Sequence, residues 1–406
     1  MEVSLTALLV VAAIALAAPL ILRLAPALTL PTAVLELVAG IAVGPAGFGW
    51  IHEDEAVRIL ALLGLAFLLF LAGLELEFER LRGRPARLAL VGFGVSLVVA
   101  LAAGSALKAA GLVDSALLIG VALTATSLGI VVPALKDAGE ARSAFGQLVI
   151  AGASVADFGA VILLSLLFSR DSSSVGARAV LLGSFALVAG VLALSLMRAG
   201  RSMRISAALV ALQDTTAQIR VRAAFLLLAG FAVLADRLGL ETILGAFTAG
   251  ALISLIDKDE AMTHPRFRVK LEAAGYGIFV PVFFVASGLT FDLDALVEPK
   301  TLAVVPLFVA ALLAARGLPA LLYRPLVGAR LALVAGLLQA TSLPFLVAAA
   351  QIGLELKLLS SGTAAALIAA GLLSVLLFPL AALRILRSGE RGRVAASPAV
   401  RPSAYG

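Results

Sequence analysis

The chain is 406 residues long, 62% hydrophobic and 14% charged, with a formal net charge of +6 and no cysteine. Soluble domains run at about 45–50% apolar and about 25% charged, so a water-soluble enzyme is excluded. The absence of cysteine removes disulfides, thiolate metal sites and thiol nucleophiles, and a mean hydropathy of +1.12 assigns the basic excess to membrane loops rather than to nucleic-acid binding.

Apolar runs of about 20 residues, each able to span about 30 Å of hydrocarbon as a helix, recur from end to end. The alternating pattern of an outer-membrane barrel does not occur. The chain therefore reads as an all-α polytopic membrane protein of about thirteen transmembrane helices, at 3–23, 31–49, 56–74, 86–110, 114–135, 144–168, 176–198, 219–237, 240–256, 273–291, 301–323, 328–352 and 360–386. The first run follows Met1-Glu2-Val3 with no basic stretch before it, and reads as an uncleaved span rather than a signal peptide.

In chain order, span 2 carries Glu36 in Pro31-Thr-Ala-Val-Leu-Glu36-Leu-Val-Ala-Gly40, either a pathway or gating residue or one end of a structural hydrogen bond. Span 5 runs Thr124-Ala-Thr126-Ser127-Leu-Gly129-Ile-Val-Val-Pro133, a polar and helix-breaking stretch in mid-membrane. Span 6 centres on Asp157 in Gly152-Ala-Ser154-Val-Ala156-Asp157-Phe-Gly159. Small flanking residues let another backbone approach, Ser154 lies one turn earlier on the same face, and carboxylate plus hydroxyl oxygens suit a small hard cation; the other reading is a protonated structural aspartate bonded to a carbonyl. Span 11 holds Arg316, which offsets negative helix ends, pairs with a carboxylate, or snorkels to the surface. Span 12 contains Ala340-Thr341-Ser342-Leu343-Pro344, where the proline clashes with the carbonyl of Ala340. Glu36, Asp157 and Arg316 are the ionisable residues well inside spans, and such residues default to functional candidates. His52 and His264 lack metal-ligand spacing, and no phosphate-binding loop is present. The tail, 388–406, is short and rich in Arg, Ala, Ser and Pro, and is expected to be a disordered cytoplasmic segment.

Lys and Arg fix the orientation. With the N-terminus outside, 23 fall in inside segments and seven outside (Arg58, Lys108, Arg170, Arg178, Arg237, Lys300 and Lys357), which places the C-terminus in the cytoplasm. Two phrases recur at one offset of 215 residues: Phe70-Leu-Ala-Gly73-Leu74 with Phe284-Val-Ala-Ser-Gly288-Leu289, and Ala125-Thr126-Ser127-Leu128 with Ala340-Thr341-Ser342-Leu343. They define two six-helix units of opposite topology, spans 1–6 and 8–13, with span 7 as a connector. Inverted repeats with interrupted helices in corresponding positions point to a secondary transporter with its site near the midplane.

These residues resemble the cation:proton antiporter-2 family of the sodium/proton exchanger superfamily. The resemblance covers nearly the whole chain and rests on Glu36-Leu-Val-Ala-Gly40-Ile-Ala-Val-Gly44-Pro45, Leu69-Phe70-Leu-Ala-Gly73-Leu74-Glu75, Thr124-Ala-Thr126-Ser127, Asp157, Gly245-Ala246-Phe247-Thr-Ala-Gly250 and Pro281-Val-Phe283-Phe284-Val-Ala-Ser-Gly288-Leu289. It implies a sodium/proton exchanger fold in a homodimer, with two broken, crossing helices. The membrane transport domain would be 1–387, with a dimerisation side (3–74 and 219–291), a core side (86–168 and 301–386) and a linker helix (176–198). It implies ion and proton binding at Asp157, with Thr126 and Ser127 on the unwound helix and Arg316 as the core basic residue; the residues themselves add Ser154 beside Asp157, Glu36 as a second supporting charge, and Gly129, Pro133, Ala340, Thr341, Ser342 and Pro344 at the breaks. The position before the aspartate, acidic in proton-coupled pairs of the family, is Ala156 here, so cation choice does not carry over. A nucleotide-binding domain of the Kef type is not expected in this chain.

The function expected is antiport of Na+ or K+ against H+, with no cofactor, in the cell membrane of a prokaryote. Asp157 would hold one cation or one proton at a time, which makes exchange electroneutral. The other readings are a cation-coupled organic-anion symporter, with Arg316 on the anion, and an ion channel.

Overall fold

The structure is a computed structural model and describes residues 5–25, 30–76, 83–168, 175–200, 218–256 and 265–396. Among these, all regular elements are helical. The first half comprises α1 (Leu5–Leu24), α2 (Thr32–Val43), α3 (Glu55–Leu74), α4 (Gly83–Ala109), α5 (Ala116–Ala122), α6 (Leu128–Asp137), α7 (Ala144–Leu167) and α8 (Val175–Gly200). The second comprises α9 (Ile219–Arg237), α10 (Thr242–Ile256), α11 (Pro265–Ala274), α12 (Val280–Leu289), α13 (Leu293–Val297), α14 (Pro299–Gly317), α15 (Arg324–Gln339), α16 (Pro344–Glu355) and α17 (Ser361–Ala396). Seven helical segments of the described residues are long and apolar enough to cross a membrane.

Helix starts follow local chemistry. The Asp54 carboxylate accepts from Val57 N at the head of α3, Ser143 from Gly146 N at α7, and Ser115 from Leu118 N at α5, each meeting an N–H that the helix leaves free. A π-turn, Gly275–Phe279, joins α11 to α12. It sits just ahead of Pro281, which has no N–H to give to the helical ladder. The apolar runs 114–135 and 328–352 each divide into two short helices. The last helix continues through Ala396, into the segment read from sequence as a tail; 397–406 and His264 lie outside the described residues.

Packing separates the helices into two groups. In one, α3 lies against α10 and α12, α2 against α12 and α1, and α9 against α10. In the other, α4 packs on α5, α7 and α14, while α17 gathers α14, α15 and α16. The two meet where α7 touches α10, and α8 leans on both of those helices. The first group is closed by glycine. A Cβ at Gly40 would fall on the Val285 carbonyl and one at Gly288 on that of Leu37; Gly73 and Gly250 face the Phe247 and Phe70 carbonyls in the same way. Backbones thus touch along α2–α12 and α3–α10, the close approach that small residues permit between membrane helices.

Candidate ion-binding site

Between α5 and α6 the chain is unwound over residues 123–127, and between α15 and α16 over 340–343. Pro344 opens α16, where its missing N–H is harmless. The two unwound stretches cross, joined by a backbone hydrogen bond from Ser127 N to the Thr341 carbonyl at 2.9 Å. Each break strands N–H groups that hydrocarbon cannot satisfy.

At the first break a carboxylate meets them. Asp157, buried on α7, accepts from Thr126 N at 3.1 Å through Oδ1 and from Leu128 N at 3.4 Å through Oδ2. It therefore sits at the N-terminus of α6, where free N–H groups and the helix dipole favour a negative charge. The Thr126 hydroxyl turns the other way, donating to the Gln339 carbonyl at 2.7 Å and accepting from Arg316 Nε at 2.8 Å. Arg316 also donates from Nη1 to Ser96 Oγ and from Nη2 to the Gly152 carbonyl, both at 3.3 Å. Gln339 Nε2 reaches Tyr323 Oη at 3.1 Å and the Val149 carbonyl at 3.4 Å. A side chain at Gly152 would occupy the space these two residues use. At the second break Ser374 Oγ accepts from Ser342 N at 3.1 Å and lies 2.9 Å from the Ser342 carbonyl. Ser342 Oγ is buried with no hydrogen-bond partner among the described residues.

In front of the first break is a cavity of about 290 Å³, walled by α2, α3, α10 and α12 on one side and by α6, α7 and α16 on the other. Asp157, Glu36 and Glu75 are its charged lining residues, and no Lys, Arg or His from the described residues joins them. The Tyr276 hydroxyl, on the π-turn, lies 3.5 Å from Glu75 Oε1. Exposure rises from buried Asp157 toward Thr32, Gly129 and Tyr276, the last 44% exposed.

The structure brings Asp157, Thr126, Ser127, Gly129, Pro344 and Glu36 to this one cavity. Ser154 is buried on α7 but does not line it, and Ala340, Thr341 and Ser342 lie in the crossing, away from the lumen. Pro133 sits further along α6. Arg316 is 1% exposed, which overturns the snorkelling alternative, and its bonds run to Thr126, Ser96 and Gly152, behind the site. Ser96, Tyr323, Gln339, Ser374 and Tyr276 do not stand out in the sequence, and Glu75 enters there only as the end of a motif. Gln339, directly before the repeated Ala-Thr-Ser-Leu, carried the one local hint.

Residues 11–387 match the family model described as sodium/hydrogen exchanger, transmembrane. The chain is 31% identical over 332 residues to the putative Na(+)/H(+) antiporter YjbQ of Bacillus subtilis, covering 78% of this chain and 52% of YjbQ. It is 30% identical over 274 residues to the Na(+)/H(+)-K(+) antiporter GerN of Bacillus cereus, covering 66% of this chain and 67% of GerN. It thus spans about half the length of the first relative and two thirds of the second. The sodium proton antiporter MjNhaP1 of Methanocaldococcus jannaschii superposes with a TM-score of 0.66 at 17% identity, covering 94% of this chain and 98% of MjNhaP1, a likeness of fold. With 11–387 inside the family model, the chain belongs to the transmembrane sodium/hydrogen exchanger family.

Proposed function

We propose that this protein is a secondary active antiporter that exchanges a monovalent cation, Na+ or K+, for a proton through Asp157. The observation that carries the reading is the charge of the cavity: among the described residues its charged walls are three carboxylates, while the basic Arg316 is spent on Thr126, Ser96 and Gly152 behind it. A low-dielectric cleft lined by one sign of charge concentrates ions of the other sign. An organic-anion symporter would need a cation in that lumen.

An ionised carboxylate accepts about four hydrogen bonds, and two of those positions on Asp157 are taken by Thr126 N and Leu128 N. The remaining lone pairs take a cation or a proton, and occupancy by one excludes the other. Thr126 contributes its N–H rather than its hydroxyl, which Gln339 and Arg316 already engage. A bare carboxylate crosses the membrane poorly, so only the loaded core moves, and one cation returns for each proton. In this reading the thirteen spans form two inverted repeats, with α4–α7 and α14–α17 as the moving core. The other group, α1–α3 and α9–α12, is the stationary side of a homodimer. The N-terminus is outside, in the cell membrane, and the Thr32, Gly129 and Tyr276 end of the cavity faces the cytoplasm.

Proteoliposomes loaded with a pH dye, given a pH gradient and then Na+, Li+ or K+, test this directly. Cation-triggered proton movement that vanishes in Asp157→Ala is expected. Proton concentration should raise the cation KM without lowering the maximal rate. A membrane voltage should leave the Na+ rate unchanged, since only net moved charge couples to it, at about 2.3 kcal/mol per 100 mV. Activity surviving in Asp157→Ala removes the site assignment, and voltage-driven exchange removes electroneutrality.

A further inference from the structure

Among the described residues, Glu36 is a buried acid without a side-chain partner. It is 4% exposed, it lines the same cavity as Asp157, and no hydrogen bond or ion pair meets it among the described residues. A carboxylate largely withdrawn from water with no protein partner is costly as a bare charge, so the group favours a proton or a cation, either of which reaches it through the cavity. These are the two ions the proposed exchange handles.

On α2, residues 32, 33 and 36 form the face turned to the cavity, as helical neighbours three and four apart must. Leu37 and Gly40 form the face locked to α12. Thr32 is exposed and Glu36 buried, so the α2 wall leads from the open end of the cavity inward, with a hydroxyl and then a carboxylate on one line. Asp157, by contrast, hangs from α7 in the other packing group. The two acids face one lumen from opposite walls, one in the group taken as stationary and one in the group taken as moving. The other titratable groups on that lumen are Glu75 and Tyr276, and they are engaged with each other.

We propose that Glu36 is a second ion-binding carboxylate, fixed in the stationary wall. It takes a monovalent cation or a proton from the bath at the cavity's open end and passes it to Asp157. The inference rests on the antiport reading and deepens it. Oxygen ligands for the cation come from Glu36, the Thr32 hydroxyl and water, a set suited to hard ions. Because Glu36 does not travel with the core, it adds no charge to the transported unit and leaves the one-for-one exchange intact. Its effect is confined to one face of the membrane.

The test compares everted with right-side-out membrane vesicles, with Na+ and K+ added outside and proton movement read by a pH dye. Glu36→Gln is expected to raise the cation KM about tenfold on the face to which the cavity opens, leaving the KM on the opposite face within about twofold; Glu36→Asp should recover part of the loss. Equal KM changes on the two faces, or none on either, overturn the proposal. If wild-type vesicles show no cation-dependent proton movement, the antiport reading fails instead. A second measurement needs no variant: wild-type protein is labelled with dicyclohexylcarbodiimide and the Glu36 peptide followed by mass spectrometry. Labelling suppressed by Na+ or K+ but not by choline supports the site, and labelling indifferent to the cation overturns it.

Discussion

The two interrupted helices repeat the same four residues, yet their stranded N–H groups are met by different chemistry. At the first break, Thr126 N and Leu128 N point at the Asp157 carboxylate. At the second, Ser342 N points at the Ser374 hydroxyl, which turns back on the Ser342 and Gly371 carbonyls at 2.9 and 2.8 Å. Both side chains come from the helix that follows the broken pair, α7 in one case and α17 in the other. The hydroxyl gives its proton to these carbonyls, takes the Ser342 N–H on one lone pair, and stays neutral. The carboxylate does the same capping work with lone pairs to spare and a charge that must be balanced. The same four residues thus stand at one break capped by a neutral hydroxyl and at one capped by a carboxylate.

The largest effect tests that division at its charged end. Asp157→Asn keeps an oxygen that caps one N–H but loses the titratable charge, so exchange is expected to fall at least ~100-fold in the dye assay while the purified protein still elutes as a folded species. Residual exchange within tenfold of wild type would mean the charge is not the working part. Next is Arg316→Met, which deprives the Thr126 and Ser96 hydroxyls and the Gly152 carbonyl of their buried donor. At about 1–3 kcal/mol for each buried group left unsatisfied, a clear fall in the melting temperature in detergent is expected, together with reduced exchange. Smaller again is Ser374→Ala, which uncaps the neutral break. A lost cap is worth about 1 kcal/mol, seen as a modest drop in melting temperature with cation KM unaltered. If Ser374→Ala instead changes KM as Asp157→Asn changes rate, the two breaks are not divided as argued.

Much of this was legible in the sequence because hydrocarbon enforces simple rules. Apolar runs, the mid-span Asp157 and Arg316, and the paired Ala-Thr-Ser-Leu breaks each stand out locally. What stayed hidden involves contacts between residues distant in sequence: Arg316 meets Thr126 across 190 positions and Ser96 across 220. No local pattern announces that Gly152 is small because Gln339 and Tyr323 fill its space. Glu75 and Tyr276 lay at span ends, where polar residues are ordinary, and only the folded cavity brings them together. Nothing local shows that the N–H of Thr126, rather than its hydroxyl, faces Asp157.

The long separation of Arg316 from its partners also bears on how the protein is made. Asp157 and Thr126 leave the ribosome 159 or more residues before Arg316, a wait of roughly 8–30 s at about 5–20 residues per second. During that interval the first broken helix enters the bilayer with its carboxylate cap but without the guanidinium behind it, and Ser342 and the capping Ser374 arrive later still. Assembly in the membrane must therefore tolerate a half-built crossing, and the Asp157 cap on α6, formed wholly within residues 126–157, is the part available to hold it.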